Sequence, residues 1–554
     1  MTAIVSGSQR PELRFWGWGF ASEHLEAAEE QRLRQMVALL SAGACPAAPL
    51  PKLEDFVLPE PAVTVPASLR DIVSATPYDR LVHAYGKSYA DCVRMLLRHL
   101  PQTPSLVAFP RSEQDVSDLL DWAARANVAV VPFGGGTSVC GGVEADPGEG
   151  YAAVLSLDLQ CLNEVLEIDA VSRAARIQAG AFGPAIEAAL RPAGLTLRHF
   201  PQSFVFSTLG GWIATRSGGH YATVHTHIDD FVEGLRVVTP RGTIETRRLP
   251  GSGAGPAPDR LFIGSEGSLG VITEAWMRLQ HRPRFRSSAS VTFDTLTQAC
   301  SAVRAIAQSA LFPANCRLLD AAEARLNGVG NQPVLVLGFE SADQPVEASQ
   351  ARALEICRDH AGTPAAARAA EKRDAASDAW RNAFLRMPYY RNFLTPLGVI
   401  ADTFETAVTW DRFEAFYQGV TQQVGRAIRE TCGHAPVLSC RFTHVYPDGP
   451  APYFTFFAAG TTNGDLSSAL ARWRVIKAVA SDAIVAHGGT ITHHHAVGRD
   501  HRSGYERETP ALFRQALAAC KAELDPYGVL NPGVLIDPRG RPVGVRGVMA
   551  PDAR

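Results

Sequence analysis

The sequence predicts an α+β protein built from several domains, and three observations lead to this prediction. The chain has 554 residues, which is more than one hydrophobic core organises, so we expect roughly three or four folding units. From Tyr78 to Pro283, short Val/Ile/Leu runs alternate with helical stretches and glycine clusters, a pattern typical of mixed helices and strands. From Phe285 to Gly488, further short strands are mixed with long Ala- and Arg-rich helical stretches.

We therefore divide the chain into four parts. Residues 1–75 form a helical arm and a Pro/Ala-rich linker, and residues 76–285 form the first folded domain. Residues 286–489 form a second domain that faces the substrate. Residues 490–554 carry a histidine cluster, a helix and a tail beyond Ile536. Helices are expected over Glu23–Leu40, Pro364–Ala379 and Pro510–Leu524.

Composition excludes several kinds of partner and location. The 53 Lys and Arg residues nearly balance the 56 Asp and Glu residues, so nucleic acid is not expected to bind. The ten cysteines include no C-x-x-C pair, which indicates reduced thiols in the cytoplasm. Neither a secretion signal nor an apolar run of about 18 residues is evident. Peripheral membrane contact stays open, because an apolar patch can be assembled in space.

The strongest local signal is the loop PFGGGTS, which directly follows the apolar run Val128–Val131. Three adjacent glycines permit positive φ angles and leave no Cβ in the way, so successive backbone N–H groups can point at one anion. A diphosphate would fit such a loop. A P-loop lysine and a G-x-G-x-x-G motif are both missing, which disfavours ATPases and Rossmann proteins.

An isolated triple glycine could equally be a plain turn, but two more Gly/Ser/Thr-rich stretches follow. One covers Gln202–Thr208 and continues to Ser217, and the other covers Gly264–Thr273. Three such stretches can wrap one long ligand from its diphosphate to its ring.

At this point the sequence resembles the FAD-binding enzymes of the vanillyl-alcohol oxidase and p-cresol methylhydroxylase class. Within that class it is similar to the alkyldihydroxyacetonephosphate synthase family. The resemblance implies a two-subdomain FAD-binding domain plus an α+β cap domain with an antiparallel sheet. The motifs that carry it are Trp16–Phe20, Pro132–Ser138, Pro201–Gly219, Val238–Gly242, Leu261–Ala275, Cys316–Asp320, Asp402–Arg412, Cys440–Arg441 and Thr492–Gly498.

The resemblance also implies which residues contact FAD. Some class members attach the flavin through a histidine in the first loop, and this loop has none, so non-covalent FAD is expected. The implied contacts are Pro132, Phe133, Gly134, Gly135, Gly136, Thr137, Ser138, Gln202, Ser203, Ser207, Thr208, Ala214, Thr215, Arg216, Ser217, Glu266, Gly267, Ser268, Leu269, Gly270, Val271 and Ile272.

The histidine run His493, His494 and His495 has three interpretations: hydrogen-bonded core imidazoles, a metal site, or acid–base catalysis. On a strand, the first and third rings would share one face. Burying three imidazoles without partners would cost about 1–3 kcal/mol each, which disfavours a passive role. Related flavin-dependent 2-hydroxy-acid dehydrogenases complete a metal site with a second histidine pair. Tyr453 lies near that position here, so no metal is predicted.

In the synthase family, the tyrosine matching Tyr453 donates or accepts a proton and the histidine triplet assists. A phenol needs a neighbouring group to exchange protons near neutral pH; taken alone, Tyr453 would be a core aromatic. Arg317 and Arg391 match two active-site arginines, the second a substrate contact, and a guanidinium suits a phosphate. For a single arginine, a surface salt bridge is the default. A cysteine of better-known members is Ala451 here, so that thiol is not required.

The resemblance implies a redox-neutral transferase of ether lipid synthesis. In it, the acyl group of acyl-dihydroxyacetone phosphate is exchanged for a long-chain alcohol through a flavin N5 adduct. Two alternatives stay open: an FAD-linked oxidase or dehydrogenase of an alcohol or 2-hydroxy acid, and a non-catalytic flavin-binding protein. We expect lipid-like small-molecule substrates and a cytoplasmic homodimer.

Overall fold

The structure is a computed structural model that describes residues 12–40, 46–365, 386–461 and 463–538. Helices and sheets are mixed along these residues, which confirms the predicted α+β class. The helices are α1 (Ala27–Leu40), α2 (Pro77–Val82), α3 (Tyr89–Leu96), α4 (Glu113–Ala126), α5 (Gly183–Leu190), α6 (Leu209–Thr215), α7 (Leu296–Ala307), α8 (Ala321–Leu326), α9 (Glu347–Asp359), α10 (386–394), α11 (Trp410–Cys432), α12 (Leu466–Ala486), α13 (Arg502–Glu508) and α14 (Ala511–Leu524).

The first sheet presents the glycine loop at the end of a buried strand. Its strands are β1 (Val73–Ser74), β2 (Leu106–Ala108), β3 (Val128–Phe133) and β4 (Ala153–Asp158). They lie in the order β1-β2-β4-β3, and β2, β4 and β3 are parallel. Strands of a parallel sheet are covered on both faces, so they read as continuous apolar runs, as the sequence of β3 does.

The second sheet is antiparallel and has the order β5-β6-β10-β8-β9. One hydrophobic core joins it to the first sheet and includes Val130, Ile177 and Leu530. The strands β7 and β11 form a separate two-stranded antiparallel sheet. The strands are β5 (Val165–Asp169), β6 (Ala174–Gln178), β7 (Leu195–Thr196), β8 (Val232–Thr239), β9 (Gly242–Glu245), β10 (Val271–Arg278) and β11 (Gln280–His281).

The third sheet has seven antiparallel strands in the order β15-β12-β14-β13-β17-β18-β16. A second core, which includes Leu335, Phe454 and Ile476, packs this sheet against helices such as α11 and α12. The strands are β12 (Phe285–Thr292), β13 (Asn315–Leu319), β14 (Val334–Ser341), β15 (Thr363–Pro364), β16 (Val399–Glu405), β17 (Val437–Val445) and β18 (Pro450–Ala459).

Local predictions met different outcomes. The first two sheets fall within 73–278 and the third within 285–459, while the domain boundaries themselves stay a prediction. The N-terminal helix begins at Ala27 rather than at Glu23. Pro364, the first residue of the helix expected over Pro364–Ala379, lies in β15, and positions 366–379 lie outside the described residues, as does the tail beyond Pro538. None of the described helices is long and apolar enough to span a bilayer.

A buried lysine fastens the C-terminal segment to the first sheet. Lys521 in α14 is fully buried, and its Nζ donates to the carboxylate of Asp525 and to the carbonyls of Ser268 and Leu530 at 2.6–2.7 Å. The segment that follows runs beside β3, where the N–H of Val130 donates to the carbonyl of Val529. The lysine therefore ties α14 both to the loop before β10 and to the strand that carries the glycine loop.

We expect Lys521→Met to lower the free energy of unfolding by about 3–5 kcal/mol, because it leaves the buried Asp525 carboxylate without its cation. The matched control is Lys52→Met, which removes an exposed pair with Glu54 and should cost less than about 1 kcal/mol. Urea unfolding followed by tryptophan fluorescence measures both. Similar midpoints for the two variants would contradict this role for Lys521.

Candidate active site

One cavity of about 350 Å³ brings the predicted site segments together. Its walls come from the glycine loop, the segment before α6, the third sheet, α1, α10 and the histidine run. The lining residues predicted from sequence are Gly134, Gly135, Gly136, Thr137, Ser138, Gln202, Ser203, Ser207, Thr208, Thr215, Ser217, Arg317, Arg391, Tyr453, His494 and His495.

The glycine loop lines this cavity and carries four successive backbone N–H groups. The side-chain amide of Gln160 donates to the carbonyl of Gly134 at 2.9 Å, which fixes the position of that peptide. Among the described residues, no acceptor is hydrogen-bonded to the backbone N–H groups of 135–138. Such groups are rarely left without partners unless water or a ligand takes them. Four successive donors in the wall of a cavity fit an anion such as a diphosphate.

The glycines are also needed because the second stretch lies directly on the first. A Cβ at Gly135 would lie 1.6 Å from the carbonyl oxygen of Phe206, and one at Gly134 would lie 2.2 Å from Oγ1 of Thr208. Larger residues would push the two stretches apart. The first two predicted FAD segments therefore form one continuous wall.

Segment 214–217 contributes only in part to that wall. Thr215 and Ser217 line the cavity, and the hydroxyl of Ser217 lies 2.9 Å from Nε2 of the buried His199. Ala214 and Arg216 are not among the lining residues. Arg216 instead forms an ion pair with Asp229 at 3.0 Å.

The third stretch, 266–272, lies behind the first loop, and none of its residues is among those lining the cavity. Gly267 approaches the ring of Pro132, and Val271 and Ile272 belong to β10. The buried carboxylate of Glu266 accepts the backbone N–H groups of Val497 and Gly498. Burial raises the pKa of Glu266 to about 7, although these hydrogen bonds oppose the shift. Direct contact of this stretch with FAD stays a prediction.

The histidine run does not lie on a strand, so the alternation of faces that a strand would give does not apply. Residues 493–495 form bends, because their backbone N–H groups converge on one carboxylate instead of a neighbouring strand. Glu405, at the end of β16, accepts the N–H groups of His493 at 2.6 Å, His494 at 3.2 Å and His495 at 3.0 Å. The hydroxyl of Thr492 donates to the same carboxylate at 2.6 Å. His494 and His495 consequently both face the cavity.

Burial keeps these imidazoles neutral. Desolvation lowers the pKa of His494 to about 3 and that of His495 to about 4, and the nearby Glu405 only partly offsets it. Burial acts to raise the pKa of Glu405, but the three imidazoles and the Thr492 hydroxyl bring it below its usual value. The site at neutral pH therefore combines an ionised Glu405 with neutral rings that both donate and accept hydrogen bonds.

Tyr453 on β18 faces the cavity beside the histidines. Its ring centroid lies 5.8 Å from that of His494 and 5.6 Å from that of His495, while its hydroxyl donates to Oγ1 of Thr403 at 3.0 Å. The guanidinium of Arg441 lies 4.0 Å from the centre of the Tyr453 ring. Burial raises the pKa of the phenol, and the Arg441 cation opposes that shift.

The two predicted arginines both lie in the cavity wall, but their hydrogen-bond partners differ. Arg317 on β13 is buried, donates through Nη2 to the carbonyl of His220 at 2.8 Å, and has its pKa lowered by burial. Arg391 on α10 pairs with Asp402 at 2.8 Å and donates to the carbonyl of Lys87. Arg317 is therefore not an arginine in a surface salt bridge, which is the ordinary interpretation of a single arginine.

Several residues of the site were not predicted from the sequence. Glu405 and Arg441 stand in motifs that were noted without a role, and Glu323 pairs with Arg441 at 2.8 Å. The indole N–H of Trp18, in the wall of the cavity, is buried without a hydrogen-bond partner among the described residues. No local signal marks Glu323 or Glu405, because their partners are distant in sequence.

Histidine nitrogens from two segments meet near the cavity. One ring nitrogen from each of His444, His493 and His494 lies within 4.8 Å of the others, close enough in space for a metal site. In this structure these rings are hydrogen-bonded: Nε2 of His444 to the carbonyl of Gly219, and His493 to Tyr446 and His494. We treat them as a hydrogen-bonded cluster, and the absence of a metal stays a prediction.

Comparison with known proteins places this site in a family context. A family model of the FAD binding domain matches 104–247, and one of the C-terminal domain of FAD linked oxidases matches 282–535. The alkyldihydroxyacetonephosphate synthase of Dictyostelium discoideum is 29% identical over 510 residues, covering 87% of this chain and 80% of that protein.

Solved structures show the same similarity to alkyldihydroxyacetonephosphate synthase. An alkyldihydroxyacetonephosphate synthase superposes with a TM-score of 0.77 at 25% identity, covering 94% of this chain and 98% of the other. The p-cresol methylhydroxylase structure with substrate bound has a TM-score of 0.65 at 14% identity, covering 84% and 94%. The predicted fold, of the vanillyl-alcohol oxidase type, is thereby confirmed.

We expect Gly135→Ala to abolish flavin binding, because its Cβ would meet the Phe206 carbonyl and displace the loop whose N–H groups face the cavity. Gly251→Ala is the matched control, since nothing lies within 4 Å of the added methyl group. The ratio of bound flavin absorbance at ~450 nm to protein absorbance measures the effect. A yellow Gly135→Ala protein with the control's flavin content would contradict the proposed cradle.

We expect stability to fall on acidification through the histidine run. The folded pKa of His495, about 4, lies below the unfolded value of about 6.5. The unfolded chain therefore binds a proton first, and stability that is full above pH 6.5 is lost as pH falls toward 4. At pH 5 this group alone costs roughly 2 kcal/mol.

His495→Gln should flatten the pH dependence of the urea midpoint between pH 7 and pH 5. The exposed His281 supplies the control variant His281→Gln, which should keep the wild-type slope. The same slope in all three proteins would show that His495 is not held neutral by burial.

Proposed function

We propose that this FAD-dependent enzyme, which matches family models of the FAD binding domain and of the C-terminal domain of FAD linked oxidases, is an alkylglycerone-phosphate synthase-like transferase. It exchanges the acyl group of acyl-dihydroxyacetone phosphate for a long-chain alcohol. One observation carries the proposal: a single cavity joins anion-binding backbone, a chamber of Tyr, His and Arg side chains, and an apolar wall. The similarity to alkyldihydroxyacetonephosphate synthases supports it.

The cofactor fits the first part of this cavity. The N–H groups of 135–138 would hold the diphosphate of FAD, and hydroxyls such as those of Ser207 and Thr208 line the same wall. The flavin is expected to be non-covalent. When bound, FAD supplies an electron-accepting ring system to the reaction.

The arginines suit the phosphate of the substrate. Arg317, Arg391 and Arg441 line the cavity, and the carboxylates of Asp402 and Glu323 neutralise the last two. Arg317, in the same wall, offers a planar fork of donors that suits a phosphate. Binding there would orient the carbon that exchanges its oxygen substituent.

Tyr453 is positioned to hold a proton at that carbon. Because burial raises its pKa, the phenol is protonated near neutral pH and acts first as a donor. The Arg441 cation over its ring stabilises the phenolate when the proton leaves. His494 and His495, both neutral, lie beside it as hydrogen-bonding groups.

The apolar wall suits a long alkyl chain. It is formed by α1, α10 and the third sheet, through Leu33, Met36, Leu394, Ala401 and Phe457. Removing an alkyl chain from water contributes about 0.8 kcal/mol for each buried methylene. This wall explains why a lipid-like substrate would be accepted.

The second candidate is an FAD-linked oxidase or dehydrogenase of an alcohol or 2-hydroxy acid. It is favoured by the family model of FAD linked oxidases and by Arg317, which would bind a carboxylate as well as a phosphate.

We also propose peripheral membrane contact, which the exposed Leu512 and Phe513 at the start of α14 support. The cytoplasmic location and the homodimer stay predictions.

We expect the purified flavoprotein to convert palmitoyl-dihydroxyacetone phosphate and hexadecanol to the ether product with no electron acceptor. Tyr453→Phe should reduce the rate by about 100-fold or more, because general acid–base catalysis is lost, while flavin content is kept. Mass spectrometry of extracted lipid measures the product. Absence of ether together with anaerobic bleaching by an alcohol or 2-hydroxy acid would favour the oxidase.

A further inference from the structure

A continuous chain of hydrogen bonds leads away from the cavity through the histidine run. His494 lines the cavity, and its Nδ1 lies 3.0 Å from Nδ1 of His493. Nε2 of His493 lies 2.8 Å from the hydroxyl of Tyr446. That hydroxyl lies 3.1 Å from Oγ1 of Thr226 and 3.5 Å from Nδ1 of His227. No gap in this chain exceeds hydrogen-bond distance.

The outer end of the chain lies near the protein surface. Tyr446 and His227 are half-buried, and the next residues after Tyr446, Pro447 and Asp448, are exposed. The backbone of Tyr446 is fixed, because its carbonyl accepts the indole N–H of Trp410 at 3.0 Å. The chain therefore spans from a buried reaction chamber to a place where water is available.

The inner end is open toward the substrate. Among the described residues, Nε2 of His494 has no hydrogen-bond partner, and its ring lies in the cavity wall. A neutral imidazole has one donor and one acceptor nitrogen, and a phenol can do both with one oxygen. Each member can therefore take a proton on one side and release one on the other.

We propose that His494, His493 and Tyr446 form a proton relay between the cavity and the surface, with Tyr446 as its outer gate. The inference rests on the proposed function and deepens it. In that exchange the C1–O bond to the acyl group breaks and its electron pair leaves with the fatty carboxylate. The C1–O bond to the alcohol forms, and the hydroxyl proton of the alcohol is released.

Because the fatty acid is ionised at neutral pH, one proton must leave the cavity in each turnover. It arrives at Nε2 of His494, whose Nδ1 proton moves to Nδ1 of His493. The Nε2 proton of His493 moves to the oxygen of Tyr446, whose own proton passes to Thr226 and His227. No charge stays on the rings, which suits their burial, because a buried imidazolium would lose its hydration.

The test compares Tyr446→Phe with Tyr417→Phe. Tyr417 is a matched control, since it is also half-buried and its hydroxyl donates to Asp320 at 3.0 Å, outside the relay. We expect Tyr446→Phe to lower kcat for ether formation at least ~10-fold with KM unchanged. In a proton inventory, kcat is measured in mixtures of H2O and D2O. For the wild type we expect a curved plot, which indicates that several protons move in the same step, and for Tyr446→Phe we expect that curvature to be lost. Added imidazole should restore part of its rate.

Flavin absorbance and thermal unfolding confirm that both variants fold. Should Tyr446→Phe not fold, His493→Gln interrupts the same chain one step inward and should show the same isotope behaviour. Ether from wild type with equal kcat and isotope curves in both tyrosine variants would overturn the relay alone. No ether from wild type would refute the proposed function. Stoichiometric zinc in the purified protein would also overturn the relay, because His493 and His494 would then be metal ligands.

Discussion

The contact on which the reaction chamber depends is the one between Glu405 and the backbone of the histidine run. A buried carboxylate at the end of β16 accepts three consecutive N–H groups and one hydroxyl. Such charge-assisted hydrogen bonds are stronger than neutral ones, and a buried carboxylate without them would be costly. This contact joins the third sheet to the C-terminal segment and directs two of the imidazoles into the cavity.

Buried contacts of Glu266 and Lys521 fix the position of the cofactor side of the same cavity. Glu266 binds the N–H groups just after the histidine run, while Lys521 ties the loop that contains Glu266 and Ser268 to α14. The glycine loop follows the strand that the C-terminal segment covers. The glycine loop and the histidine run are thus positioned by the same short stretch of chain, so their separation is fixed by buried polar contacts.

Burial determines the chemistry of the chamber. It lowers the pKa values of the histidines and raises that of Tyr453, so these groups are uncharged at neutral pH and exchange protons through hydrogen bonds. The positive charge in the chamber is carried by arginines, and two of them, Arg391 and Arg441, form ion pairs with Asp402 and Glu323. This division suits an enzyme that must orient an anionic headgroup, shelter an alkyl chain and remove a proton without storing charge in its interior.

The sequence by itself determined the α+β class and the FAD cofactor, and it marked the segments that line the cavity, because a triple glycine after an apolar strand and a histidine triplet are local features. It did not determine how the segments face one another. It did not indicate that the histidine run forms bends around one carboxylate, and it assigned no role to Glu405 or Tyr446. Glu405 acts on residues 88 to 90 positions away, and Tyr446 meets His493 across 47 positions. Only the tertiary structure decides such contacts, since burial and hydrogen-bond direction depend on how the third sheet closes over the cofactor domain.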